Sequence, residues 1–546
     1  LLMNKSDLRR KVAELFIVRA SGFNLDSQRL YPNLEASNEN LKRLLEAGVG
    51  GVIFFGGTVK ELEIRCKVLK KWAGKPLLLC ADIEEGVGQR FYGGTHFVPP
   101  MGIAQIYKND NSLGISIAEK IGFFTAKEAK KIGLNLLLAP VCDINNNSNN
   151  PVINLRAWGE DPETVKSLTC AYQRGVSRTN MLTCAKHFPG HGNSEIDSHL
   201  DLPKIQNELS ELEIFELIPF KSLINKGVNS VMIGHLFFPN IDPIYPATFS
   251  RIFVNDLLRN QLQFDGLVIT DALLMKAVSN KYSSGISAVM AFDAGIDLIL
   301  MPEDIDEAID SLTDAIYSEK ISMERLNRSR ERRKKQLDFI TNRNEFKNEE
   351  LNNKSINNKF LFKASQFSKS IVKKSIYIRG LCDKKVNNKD INLIEIDDFD
   401  QLSNKFIPAL MLPEEEGFNN LIIHPLCISP WQRNQRNVLD FEQIGNGKIL
   451  IQLFVRGKPF IGLDFHKEQW VEVIKNLEIE ERLSGIIIYG CPYLFDKIKK
   501  SINYSIPLAY SPSQSEEAQN QILTRILKSK ISHKKIDKKS SQLFTD

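Results

Sequence analysis

The chain has 546 residues, 42% of them hydrophobic and 25% charged, with a formal net charge of +5. This length holds two or three ordinary domains, or one large barrel and a companion, and the composition excludes a disordered, fibrous or low-complexity chain. No run of eighteen apolar residues marks a transmembrane helix, and so small a charge argues for neither a nucleic-acid nor a membrane partner.

In chain order, the opening stretch "LLMNKSDLRRKVAELFIVRASG" has a short apolar core, but Glu14 and Arg19 interrupt it and no small-residue cleavage site follows. It reads as part of a mature, cytoplasmic protein rather than a secretory signal. Apolar, β-branched segments then recur at 13–18, 50–55, 76–82, 135–143, 181–187, 229–235, 266–272 and 295–301. Their hydrophobicity is continuous rather than alternating, as in strands covered on both faces. Intervening stretches such as 114–132, 161–180 and 207–226 have helical length and period, and "EDPETVKS" places acids and a proline at a helix start. Eight such beats predict an N-terminal TIM-type (β/α)8 barrel over residues 1–340. The alternative, an open doubly wound sheet, calls for a Gly-rich phosphate loop that is not found. Polar residues gather just past five of the strands: Asp82, Asp143, Lys186 with His187, His235, and Asp271. A barrel brings such strand ends onto one face.

Residues 341–362, rich in Asn, Lys and Glu, read as a linker. A second set of short strands follows at 375–380, 392–397, 421–426, 448–455, 485–490 and 506–510, alternating with helix-like segments. This predicts a smaller C-terminal α/β domain over 363–546 with no catalytic constellation; His424 and His466 are isolated there. The lysine-rich tail "LKSKISHKKIDKKS" reads as a solvated end. The eight cysteines lack CxxC spacing, and Cys80, Cys142 and Cys184 lie in apolar runs as small hydrophobes.

The densest chemistry is "CAKHFPGHGNSEIDSH", Cys184 to His199, with three histidines and an aspartate two residues before the last. A zinc site is the rival reading, but the spacing lacks HxH or HExxH and no matching ligand set lies nearby, so no metal is expected. An Asp ending a strand, as in "VITDALLM", either caps the helix beginning near Leu273 or presents a carboxylate to a ligand.

Taken together, "GGVIFFGG", "ADIEEGVGQRF", "GGTHFVPPM", "APVCDINNNSNNPVINLRAWGEDP", "KHFPGHGNSEIDSH", "MIGHLFFPNIDPIYPATFS" and "FDGLVITDALLMKAV" resemble, in order, the motifs of glycoside hydrolase family 3. The likeness is to its β-N-acetylglucosaminidase branch and covers about residues 10–310. It implies a retaining exo-β-N-acetylglucosaminidase acting on a small carbohydrate, such as a peptidoglycan-derived fragment, with no cofactor. Retention needs a carboxylate nucleophile and a proton donor that later serves as base. The resemblance makes Asp271 the nucleophile and His199, held by Asp197, the acid/base; an imidazole titrates near neutrality. It makes Asp82, Arg90, Arg156, Lys186 and His187 the sugar contacts, and a sandwich-like second domain is a known companion. Isolated Asp and Arg residues of this kind otherwise form structural ion pairs. The chain departs from the pattern at Ile83, Glu85, Asn193 and Ala272, which leaves the shape of the sugar pocket open. The alternatives are a phosphorylase on the same scaffold, a family 3 β-glucosidase, whose acid/base comes from the second domain, and a non-catalytic sugar-binding protein.

Overall fold

The computed structural model describes residues 4–342, 354–382, 386–396, 407–423, 431–432, 435–439, 445–456 and 467–527. His424, His466, Cys427 and the lysine-rich tail beyond Leu527 lie outside the described residues. One compact unit is built from Leu1–Ser368, and a second begins at Lys369.

In the first unit all eight expected strands form: β1 (Phe16–Ser21), β2 (Gly51–Phe55), β3 (Leu78–Ala81), β4 (Leu136–Leu137), β5 (Leu182–Phe188), β6 (Ser230–Ile233), β7 (Leu267–Thr270) and β8 (Ile299–Leu300). They pair in parallel in the order β7-β6-β5-β4-β3-β2-β1-β8. A parallel bridge between Ile269 and Leu298 joins the two ends, so the sheet closes into a barrel. Closure leaves every strand with neighbours on both edges and helices outside, which is why the strands read as unbroken apolar runs. Cys80, Cys142 and Cys184 are buried.

The helices start where local chemistry favours them. Asp161 caps the helix Pro162–Ser177 by accepting from the Thr164 N–H, and Pro162 fills the first turn. The stretch expected as one helix over 207–226 is two, Leu209–Ile214 and Leu217–Asn225, with Phe215 out of helical geometry between them. Pro219 explains the break, since it has no N–H to give the carbonyl of residue 215 and its ring crowds that carbonyl. The second half of the expected linker also differs, because Lys354–Ser375 is a single helix. Phe360 and Phe367 on it pack against Phe124 in tilted ring contacts at 5.4 and 5.5 Å between ring centroids, and Ser368 Oγ donates to the His96 carbonyl at 2.5 Å. Aromatic burial of this kind orders a polar stretch that composition alone marks as a connection.

The second unit holds a six-stranded sheet ordered β11-β10-β14-β15-β16-β9. Its strands are β9 (Tyr377–Arg379), β10 (Ile391–Ile396), β11 (Asn419–Ile423), β14 (Ile449–Val455), β15 (Leu483–Gly490) and β16 (Leu508–Ser511). Between β11 and β14 a two-stranded hairpin, β12 (Trp431–Gln432) and β13 (Gln435–Leu439), stands apart. All sheet pairings are parallel except β16 with β9. Ile449, Ile451 and Leu453 face the helices Lys467–Ile479 and Pro492–Ser501, whereas Leu450 and Phe454 face Ile407–Glu416 and Glu516–Ile526. The alternation of side chains along each strand thus feeds two cores and makes a three-layer α/β sandwich.

Candidate active site

Four side chains mark the carboxyl ends of the odd-numbered strands: Arg19 on β1, Asp82 just past β3, Lys186 on β5 and Asp271 just past β7. Alternate strands of a barrel contribute to one layer of side chains, so residues far apart in the chain meet. Lys186, 1% exposed, places its Nζ 2.7 Å from Asp82 Oδ1 and 2.7 Å from Glu84 Oε1. Burial alone would lower its pKa, but these two carboxylates outweigh burial and raise it, so the ammonium stays charged. Glu84 in turn holds Arg156 in a fork, with Nε and Nη2 each at 2.9 Å. Burial pushes the Glu84 carboxyl up, yet Arg156 and Lys186 bring it well below the usual carboxylate range.

His187, beside Lys186 on β5, puts Nδ1 2.7 Å from Asp143 Oδ2. Its Nε2 lies 3.5 Å from Arg156 Nη2. Asp143 is fully buried and also accepts from the backbone N–H groups of His187 and His191. These bonds, with the histidines, hold its pKa down against burial. Arg90 donates from Nε to the Asp82 carbonyl at 3.1 Å, and its Nη2 stands 4.0 Å from Asp82 Oδ2.

The loop after β5 carries Asp197 and His199. Asp197 Oδ1 lies 2.8 Å from His199 Nδ1 and accepts from the His199 backbone N–H at 2.8 Å, which fixes the ring and turns Nε2 away from the carboxylate. The loop is pressed onto the segment after β4. A Cβ on Gly192 would stand 1.6 Å from the Ile144 carbonyl oxygen, so only glycine fits. His191 is buried within it, its Nε2 3.0 Å from Ser198 Oγ, and burial lowers its pKa to about 4. It is a neutral member of the loop's framework.

Asp271 is partly buried, and its Oδ1 accepts from the Ala272 N–H at 2.8 Å. Burial would raise its pKa, but His187, His235 and His199, in that order, and the Ala272 N–H bring it down to about 2. It is therefore ionised at neutral pH. The helix expected near Leu273 begins instead at Lys276 with Met275 as its cap, so Asp271 is not a capping residue. His235 is held between Thr248 Oγ1 at 2.8 Å and the Ala272 carbonyl at 3.0 Å.

Of the eight site residues, Asp82, Lys186, His187 and Asp271 lie at strand ends, Asp197 and His199 on the loop after β5, Arg90 at the end of the turn Val87–Gln89 after β3, and Arg156 in the turn Asn154–Arg156 after β4. Sequence reading left Glu84 without a role. The signal was a second carboxylate two residues beyond Asp82, just past the same strand, and both reach Lys186. Asp143 and His235 were noticed as strand-end residues, but their partners are visible only in three dimensions. Among the described residues no group of three or more side chains is arranged to hold a metal ion.

An ionised carboxylate among imidazoles at the mouth of a parallel barrel, ringed by charged hydrogen-bonding groups, is the kind of site that works on hydroxyl-rich ligands. Residues 7–335 match the glycosyl hydrolase family 3 N terminal domain, and residues 383–528 match the bacterial glycosyl hydrolase family 3 C-terminal domain. The chain belongs to glycosyl hydrolase family 3 and is a glycoside hydrolase. It is 36% identical over 285 residues to a beta-hexosaminidase of Neisseria meningitidis, covering 50% of this chain and 78% of that one. It is 33% identical over 298 residues to a beta-hexosaminidase of Idiomarina loihiensis, covering 54% and 89%. Among solved structures, the family 3 beta-N-acetylglucosaminidase of a Paenibacillus species shares the fold with a TM-score of 0.73 at 24% identity, covering 95% of this chain and 96% of that one. NagZ from Neisseria gonorrhoeae in complex with N-trifluoroacetyl-D-glucosamine aligns with a TM-score of 0.52 at 27% identity, covering 64% and 97%. Among the described residues no helix is long and apolar enough to cross a membrane.

Proposed function

We propose that the protein is a retaining exo-β-N-acetylglucosaminidase that removes a terminal β-linked N-acetylglucosamine from small glycans, peptidoglycan-derived fragments in a cytoplasmic setting among them. Asp271 is the nucleophile and His199, oriented by Asp197, is the acid/base. The observation that carries this reading is the surroundings of Asp271. A carboxylate kept ionised near three imidazoles, two of them hydrogen-bonded to aspartates of their own, His187 to Asp143 and His199 to Asp197, is equipped for both halves of the reaction. The beta-hexosaminidase relatives support the choice of sugar.

In the first step a carboxylate oxygen of Asp271 bonds to the anomeric carbon as the glycosidic C–O bond breaks. The His199 imidazolium gives its Nε2 proton to the departing oxygen. In the second step His199 takes a proton from water at the same nitrogen, the water oxygen bonds to the anomeric carbon, and Asp271 is released. Asp197 keeps Nδ1–H as the donor to itself, so that Nε2 is the atom that exchanges protons. Asp82, Arg90, Arg156, Lys186 and His187 hold the sugar hydroxyls, and Glu84 holds Lys186 and Arg156 in place. The domain limits that accompany this reading are a catalytic barrel over 1–340, a connection over 341–362 and an α/β domain over 363–546.

The test is hydrolysis of p-nitrophenyl β-N-acetylglucosaminide beside the β-glucoside, with and without inorganic phosphate, by wild type, Asp271→Ala and His199→Ala. Cleavage of the N-acetyl substrate alone, lost in Asp271→Ala, is the expected result. His199→Ala should lose less on this substrate than on a natural disaccharide, because nitrophenolate leaves without a proton. Inert wild type, or release of sugar 1-phosphate, would overturn the reading.

A further inference from the structure

Arg19 has an unusual environment. It lies on β1, its side chain is 11% exposed, and its Nε is buried without a hydrogen-bond partner among the described residues. Its ionic neighbour is Glu35, 3.8 Å from Nη2, which is too far for a hydrogen bond. Glu35 Oε1 is likewise buried without a hydrogen-bond partner among the described residues. The guanidinium is held mainly by stacking, 4.1 Å from the Phe55 ring centroid and 5.0 Å from that of Tyr31. Arg90 lies over the same Phe55 ring at 5.4 Å. Arg19 is near enough to Arg90 and Asp82 for its charge to respond to both.

Arg156, a few strands away in the same barrel mouth, shows how a satisfied arginine is built here. Its fork closes on Glu84 with two bonds of 2.9 Å. Arg19 makes no such fork. Two guanidinium groups share one aromatic ring, Phe55, beside Asp82, and one of them keeps directional donors unused. Guanidinium donors left unmade in a buried place are costly unless a ligand takes them, and planar oxyanions match that fork best.

We propose that Arg19, with Arg90 beside it on Phe55, forms a subsite for an oxyanion: a sulfate or phosphate group carried on the bound glycan, or free phosphate entering the pocket. This subsite makes Arg19 a specificity-determining residue. The inference rests on the reading of Asp82 and Arg90 as sugar contacts, and its test separates the two.

The experiment compares kcat/KM on p-nitrophenyl β-N-acetylglucosaminide with that on its 6-sulfate and 6-phosphate, for wild type, Arg19→Gln and Arg19→Lys. Inhibition by free sulfate and phosphate, and the shift in Tm that each causes, are measured on the same proteins. The expected result is an anionic-to-neutral ratio about tenfold lower in Arg19→Gln than in wild type, arising in KM, with partial retention in Arg19→Lys. A free anion that binds wild type and loses its hold in Arg19→Gln, while the substituted substrates show no preference, identifies the oxyanion as the free one. Ratios, inhibition and Tm shifts that are the same in all three proteins would overturn the proposal and leave Arg19 as the structural partner of Glu35. Should wild type cleave neither substrate, the glycosidase reading fails by itself, and the anion-dependent Tm shift still decides the subsite.

Discussion

Strands β5 and β14 are each seven residues long and buried throughout, yet they bury different things. In β5, "LTCAKHF", Lys186 and His187 are fully charged or titratable groups whose partners are carboxylates from the ends of other strands. In β14, "ILIQLFV", the one polar residue is Gln452, whose Nε2 donates to Asn392 Oδ1 and to the Ala409 carbonyl, both at 2.8 Å. The first arrangement keeps net charge poised at a solvent-facing end, as chemistry requires. The second satisfies a neutral amide inside a core, which specifies packing and register without exposing a reactive group. Burial alone does not distinguish a working strand from a structural one; the kind of partner does.

The sharpest break of this comparison is Asp271→Ala. Activity is expected to fall on the order of 10⁴-fold or more in kcat/KM. Gln452→Leu, in contrast, should leave kcat nearly unchanged. Removing Glu84 tests whether the ion network in the barrel also carries stability. Glu84→Ala strands Arg156 and leaves Lys186 with Asp82 only, and we expect a loss of about 3–5 kcal/mol in urea unfolding together with weaker substrate binding. Gln452→Leu leaves the Asn392 amide and the Ala409 carbonyl with fewer partners, at a cost of about 1–3 kcal/mol by the same measurement. Equal losses in the two variants would erase the distinction between charged and neutral burial.

The smallest expected effect is a difference in pH dependence within the barrel. Asp271, with its pKa brought to about 2, and Glu84 and Asp143, also depressed, contribute stability that is present above the unfolded carboxylate range and lost as pH falls through their folded values. Glu216 behaves oppositely. It is buried against Gly190 of the loop after β5, its Oε2 has no hydrogen-bond partner among the described residues, and burial raises its pKa to about 7. Its contribution is present below the unfolded value and lost as pH rises toward 7. Glu216→Gln should therefore be more stable than wild type at pH 8, with the advantage vanishing near pH 4. An advantage independent of pH would show that packing, not ionisation, is responsible.

Much of the fold was legible because its signals are local. Eight apolar runs lie where eight strands form, and the six runs of the second unit became its six-stranded sheet. The departures also have local causes that reading by period passes over, namely Pro219 splitting a helix and Phe360 with Phe367 drawing a polar stretch into a helix. Within the site, Asp197 and His199 were legible as a pair through the resemblance of "DSH" to the family's loop, and their two-residue spacing keeps them within reach of each other. The partners of Glu84, Asp143 and Arg19 were not. Glu84 and Arg156 are 72 positions apart, and Lys186 and Asp82 are 104 apart.

By itself, then, the sequence determined the strands of both sheets, the barrel that eight parallel strands make, and the residue types offered at the strand ends. Hydrophobic periodicity, capping and turn chemistry act between neighbours, so one dimension records them. Only the tertiary structure decided which carboxylate neutralises Lys186, which imidazoles surround Asp271, and which arginine is left with donors to spare. Coulombic and hydrogen-bonding partners are chosen by distance through space, and closing the barrel sets those distances.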